Sequence, residues 1–373
     1  MKMIGAGVSA VCASGATRKH ATLTHLGDAY YGPSPIPSEL ETRKTGTRSL
    51  SSPTMTKKRV ERFRRTNGRQ LCFVASAVAA TLAACCIGML ADGTPASAHG
   101  VAGDRVFPAT IVIDDPAVGD ELSLPTFSTI HNSATNGNVG SREFDYGAEW
   151  DKTITEDLGV NFNFDYTVLN FDDGTNASGW QDPAFTLKYK LYVNPEHEIL
   201  TSVGVIRTFG GTGSSTVDNP IGSTTPTIYV GKGLGDLPVD ILRPFAITGE
   251  FQYQVSDQTT AQANQWIIGG SLQYSIPYLQ QHVKDMGLPE MVSRMIPIVE
   301  YSITVPSNGA PGGAVTGTIA PGVLYEGDAW QLGLEALIPA TSATKTNVGA
   351  IAQFHLYLDD IFPDTIGKPI FGN

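Results

Sequence analysis

The chain has 373 residues, a formal net charge of −11 and four cysteines. Thirteen of its 25 Lys+Arg but only five of its 36 Asp+Glu precede His99, so residues 99–373 carry 12 basic and 31 acidic residues, a net charge of −19, and no cysteine. That excludes a binder of nucleic-acid phosphates and a disulfide-stapled secreted domain, and it leaves room for one large β domain.

Residues 1–54 form a Ser/Thr/Gly-rich leader without a sustained period, and Met55 is a second candidate start. From there "MTKKRVERFRRTNGRQ" supplies a basic segment, "LCFVASAVAATLAACCIGML" an apolar run, and Ala96 and Ala98 an A-x-A site. Residues 55–98 therefore read as a secretory signal cleaved after Ala98. Two alternatives share the run: it is long enough for a transmembrane anchor, and "LAAC", Leu82 to Cys85, resembles a lipobox that would acylate Cys85.

Residues 99–120 read as a periplasmic N-terminal segment ahead of the first strand. Strict alternation then takes over. In "LGVNFNFDYTVLNF" the apolar Leu158, Val160, Phe162, Phe164, Tyr166 and Val168 alternate with Gly159, Asn161, Asn163, Asp165 and Thr167. Successive strand side chains point to opposite faces, so one face is apolar and the other polar. The same pattern marks strands near 121–130, 143–154, 158–171, 184–193, 197–209, 225–233, 243–256, 265–276, 295–305, 313–325, 328–338 and 347–358. Only Tyr278 to Arg294 reads otherwise, as a short periplasmic helical connection, and residues 359–373 as a periplasmic tail.

Twelve strands of this length suit an all-β antiparallel transmembrane β-barrel over 121–358. Long polar connections such as "HNSATNGNVGSRE", "DDGTNASGWQDP" and "GGTGSSTVDNPIGST" alternate with turns such as "EDL", "NPE" and "EGD". This is the extracellular-loop and periplasmic-turn asymmetry of bacterial outer-membrane barrels. Aromatic residues near strand ends, Phe144, Trp150, Phe171, Trp180, Tyr192, Phe209, Tyr278, Tyr325 and Trp330, fit interfacial girdles. A soluble β-sandwich is the competing architecture.

"WQDPAFTLKYKLY" (Trp180 to Tyr192), "GKGLGDLP" (Gly231 to Pro238) and the twelve-strand layout resemble the outer-membrane proteins grouped with the meta-pathway phenol-degradation transporters. The resemblance implies a passive outer-membrane channel or transporter for small molecules, hydrophobic or aromatic ones among them. The chain departs from that pattern in having no large N-terminal hatch and in continuing past its last strand as "DIFPDTIGKPIFGN". "NVGAIAQFHLYL", with Gly349, Phe354 and Leu356, would then be the signal read by the barrel-assembly machinery.

If the apolar face meets outer-membrane lipid, the polar face lines a lumen. Its candidate lining residues are Asp165, Lys188, Lys190, Glu250, Gln252, Glu300 and Glu335. Opposed charges there would constrict the passage for a small-molecule solute. They are equally read as solvated wall charges, or as part of an interior filled by its own side chains. A structural or adhesive barrel with a plugged lumen is the alternative function. A second alternative is a soluble copper protein: N-terminal His99 resembles the chelating end of lytic polysaccharide monooxygenases, with His131, His197, His282 or His355 as further ligand. No G-x-S-x-G, H-E-x-x-H or phosphate-loop motif occurs, and no cofactor is expected.

Overall fold

The computed structural model describes residues 100–371, except 136–138 and 308–312. The alternating segments form strands β3 (Glu121–Asn132), β4 (Ser141–Thr153), β5 (Leu158–Phe171), β7 (Ala184–Asn194), β8 (Ile199–Thr208), β9 (Ser223–Gly233), β10 (Phe245–Ser256), β11 (Gln265–Tyr274), β12 (Met295–Pro306), β13 (Thr316–Glu326), β14 (Trp330–Pro339) and β15 (Gly349–Tyr357). Each pairs antiparallel with its neighbours in sequence, and the last, β15, pairs with the first, β3. The chain is a closed twelve-stranded antiparallel β-barrel. Closure leaves the ring no unpaired edge, which supplies the stability that disulfides do not.

Three short strands lie outside the ring. β1 (Gly100–Ala102) and β2 (Arg105–Phe107) form a hairpin of their own, and β6 (Asn176–Trp180) extends β5 within the loop between β5 and β7. Sequence periodicity misses β6 because five residues, NASGW, are too few to display an alternation.

The wall is amphipathic in the sense opposite to a soluble protein. Outward Phe164, Leu187, Phe251 and Leu334 are 46, 43, 46 and 56% exposed, whereas inward Asn163, Gln252 and Glu300 are 1, 0 and 0% exposed. An apolar surface running around the whole ring is stable against lipid and a liability in water. Among the described residues no helix is long and apolar enough to cross a membrane.

Long loops collect on one rim, and the turns 154–157, 195–198 and 327–329 on the other. On the short-turn rim Trp150 stacks on Phe162 (ring centroids 5.8 Å apart), and Trp330 on Tyr325 (5.6 Å). Tyr278 does not join them: it is buried, with its hydroxyl donating to Glu198 Oε1 at 2.8 Å. The segment around it makes short helical turns, Ile276–Tyr278, Leu279–Val283 and Glu290–Ser293, in place of one helix. Gly287, with φ +62°, and Pro289 interrupt it between Val283 and Glu290, whereas Pro277 sits in the first helical turn, where it is tolerated.

After β15, a helical turn, Leu358–Ile361, starts the tail, which returns to the β4–β5 turn. Ile370 N donates to Thr153 O (3.2 Å) and Phe371 N to Ile154 O (2.7 Å), while Lys152 Nζ reaches the carbonyls of Ile366 and Lys368 and the carboxylate of Asp120. Burial, then the charge of Glu121, raises the Asp359 carboxyl from 3.8 to about 8 and that of Asp360 to about 6. An acid raised on folding is best tolerated protonated. Its contribution is whole below the ordinary value of 3.8 and is lost as pH rises to about 8. Protease clipping of the tail should accordingly be several-fold faster at pH 8 than at pH 5, and Asp359→Asn should remove most of that difference.

Candidate functional site: a segment seated in the lumen

Of the segment 99–120, read from the sequence as periplasmic, the stretch from Phe107 to Ala117 is buried. His99 itself lies outside the described residues. The β1–β2 hairpin sits at the short-turn rim, and the chain then runs inward. Ala109 through Asp115 are buried among the inward-facing side chains, and Asp120, also buried, leads back to β3 at the same rim. Pro108, Pro116 and the apolar Ile111-Val112-Ile113 give this stretch its character. It lacks the alternation of a wall strand and is too apolar for a solvated linker, so it finds burial in the lumen.

The seat is built from three parts. The first is a carboxylate. Glu300, midway along β12, accepts hydrogen bonds from Ile111 N (2.8 Å, Oε1) and from Val112 N and Ile113 N (2.7 and 2.8 Å, Oε2). Three successive backbone N–H groups without a sheet partner are expensive to bury, and one carboxyl side chain satisfies all three. Glu250 on β10 extends the set by accepting from Asp114 N at 3.3 Å, and Gln252 Nε2 donates to the same Glu250 oxygen at 2.7 Å. Glu335 on β14, also buried, faces inward on the same side of the lumen.

The second part is a cation. Lys188 on β7 pairs with Asp114 (3.0 Å), donates to Asp115 O (3.1 Å), and lies 4.7 Å above the Tyr229 ring. The third is apolar: Ile111 and Val112 join a buried cluster with Ile296, Ile298, Leu324, Leu337, Ile351 and Ile130 of the wall. Two glycines let the segment approach. A Cβ on Gly333 would lie 2.3 Å from Ile111 Cδ1, and one on Gly269 2.6 Å from Ile113 Cγ2.

Of the seven candidate lining residues, Lys188, Glu250, Gln252, Glu300 and Glu335 meet around this segment. Asp165 is inward on β5, across the barrel. Lys190 departs from the expectation: its ammonium turns to the rim, donating to Glu156 O at 2.8 Å and pairing with a half-exposed Asp157 at 3.1 Å. Lys190 keeps the alternation of Lys188, pairing with Ser202 as Lys188 does with Gly204, but it lies one inward step nearer the end of β7, where its ammonium reaches the short turn.

No protein-family model matches the chain, and no curated protein matches it. Among solved structures it is similar to the COG4313 outer membrane channel from Pseudomonas putida F1, at 14% identity over 64% of this chain and 96% of that one, TM-score 0.42. It is also similar to the TodX deltaS2S3 mutant monoaromatic hydrocarbon channel (8% identity, 65% and 91% covered, TM-score 0.34). A third likeness is to the KdgM porin in complex with disordered oligogalacturonate (8%, 62% and 98%, TM-score 0.33). At these scores the barrel rests on its own strand pairing.

The remaining residues of the copper reading are engaged elsewhere: His131 with Asp172, His197 with Asp236, His282 with Asp104 and His355 with Glu121. Among the described residues no group of three or more His, Cys, Asp or Glu could hold a metal ion.

The hairpin that carries the segment is itself anchored. Buried Arg105 donates to Glu198 Oε2 (3.2 Å), Pro244 O (3.2 Å) and Arg243 O (2.6 Å), with its guanidinium 3.7 Å above the Tyr278 ring. One side chain thus ties the hairpin to the β7–β8, β9–β10 and β11–β12 connections. Sequence reasoning misses it because the four partners are 93 to 173 positions away.

Proposed function

We propose that this chain is an outer-membrane channel for the passive passage of small molecules, closed in the described state by its own N-terminal segment. The observation that carries the proposal is how the lumen is blocked. The blocking element is not part of the wall; it is a tethered segment held by hydrogen bonds, one ion pair and a modest apolar contact. Water can replace those hydrogen bonds when the segment moves, and the inner wall beneath it is largely polar. Twelve strands enclose a lumen wide enough for a narrow passage once it is vacated.

The solute class is set by the seat. Withdrawal would uncover an apolar patch (Ile296, Ile298, Leu324, Leu337, Ile351) beside Glu300 and Glu250, where a small molecule with an aromatic or aliphatic part could pause. That arrangement favours the aromatic solutes implied by the resemblance to the phenol-degradation transporters. Assembly into the outer membrane through the β15 strand belongs to the same proposal.

The test is conductance in planar lipid bilayers, comparing the full chain with a variant lacking residues 108–115. Small, intermittent openings are expected from the former, and single-channel conductance several-fold larger from the latter. Silence from both proteins, each showing the heat-dependent gel shift of a folded barrel, would make it a structural barrel with a permanent plug.

A further inference from the structure

β4 carries Glu143, Asp145, Gly147, Glu149 and Asp151 at alternate inward positions, a carboxylate at every step but one. Opposite that gap, in register with Gly147, stands Asp165 of β5. Five carboxylates therefore line one wall from the long-loop rim to the short-turn rim, at intervals of roughly 6.7 Å along the strand.

Their neighbours on β3 and β5 include neutral donors. Asn132 Nδ2 donates to Glu143 (2.6 Å), Ser128 and Thr167 hydroxyls to Asp145 (3.0 and 2.5 Å), Asn163 Nδ2 to Glu149 (3.5 Å) and Asn161 Nδ2 to Asp151 (2.8 Å). Because each Asn turns its amide nitrogen to a carboxylate, its carbonyl oxygen faces away from that donor role. Asn161 Oδ1, Asn163 Oδ1 and Asp165 Oδ1 are buried with no donor among the described residues, and Asn161 and Asn163 are only 5 and 1% exposed. Those three oxygens leave the wall with buried acceptors that a cation passing along it can meet.

With the segment in place the wall is buried, Glu143 and Glu149 being 2 and 4% exposed, so the wall is offered to solutes when the segment withdraws. Between the segment and the short-turn end of the acidic wall a small polar cleft is lined by Asp114, Asp115, Glu121, Glu149, Asp151 and Lys188. We infer that the β3–β5 wall is a cation track: the conducting pore prefers hydrated monovalent cations and small ammonium compounds over anions, with Glu143, Asp145, Asp165, Glu149 and Asp151 setting that preference. Rows of carboxylates act this way in cation channels by concentrating counter-ions along the path. A chelated metal does not fit, since no described group could hold one. The inference rests on the channel reading.

The test is the reversal potential of the reconstituted full chain, and of the variant lacking residues 108–115, across a tenfold KCl gradient. The expected K+ over Cl− permeability ratio is about tenfold, falling towards unity in Asp145→Asn/Asp165→Asn while current persists. Glu143→Gln, near the long-loop rim, should lower the ratio on its own and serves if the double variant folds poorly. A conducting pore that prefers chloride, that does not discriminate, or whose ratio the carboxamide variants leave unchanged overturns the cation track and spares the channel. Absence of current from both proteins removes the channel reading and the track with it.

Discussion

Replacing Glu300 with glutamine should free the tip of the inserted segment. The carboxylate accepts from three consecutive backbone N–H groups, whereas a carboxamide offers one accepting oxygen and turns an NH2 towards donors. Each hydrogen bond to a charged group is worth about 1.5–3 kcal/mol; after the cost of burying the charge is returned, a net loss of about 3 kcal/mol is reasonable. That corresponds to roughly a hundredfold larger withdrawn fraction. Because all four cysteines precede His99, Val112→Cys introduces a single thiol into the barrel. A membrane-impermeant maleimide should label it slowly with Glu300 intact and at least tenfold faster in Glu300→Gln. Equal labelling rates would show that the apolar cluster alone holds the segment.

The Arg105 anchor should have the second large effect. Arg105→Ala leaves Glu198 buried without its cation, although Tyr278 and Gly235 N still donate to it at 2.8 and 2.9 Å. Breaking one side of a buried pair costs about 3–5 kcal/mol. The expected result is a hairpin cut rapidly by protease at the short-turn rim while the barrel keeps its heat-modifiable band. Arg105→Lys should recover little, because an ammonium cannot serve Glu198 and two carbonyls in the guanidinium's planar geometry. Arg105→Met/Glu198→Gln should recover part of the loss, since no unpaired charge remains. A hairpin as resistant in Arg105→Ala as in the parent would move the anchor to Lys188 and Asp114.

The wall was legible in the sequence and its contents were not. Alternation such as Val160-Asn161-Phe162-Asn163 states both strand and face, because a one-residue slip would exchange lipid for lumen along the entire strand. Connection lengths then order the strands, and sequential antiparallel pairing is their consequence. Lumen contents obey no such period. Ile111 to Ile113 are placed by a glutamate 187 to 189 positions away, and nothing local in "FPATIVIDD" encodes that partner. Lys188 and Lys190 are equivalent by alternation, yet the second lies one step nearer the strand end, and its ammonium finds Glu156 O and Asp157 at the rim while the first finds Asp114 in the lumen. Tyr278 shows the same limit: position near a strand end suggested an interfacial ring, and only the fold reveals the Arg105 guanidinium beneath it.

The inserted segment comes in and goes out through one rim, and the seam that closes the ring, β3 on β15, lies downstream of it. It is a loop dipped into a ring, not a strand threaded through one. It can leave without any wall ladder being broken and return without a free end having to find its way, so opening and unfolding are separate events with separate barriers. A variant that stays withdrawn should then melt as a barrel much as its parent does, having lost its stopper and kept every stave.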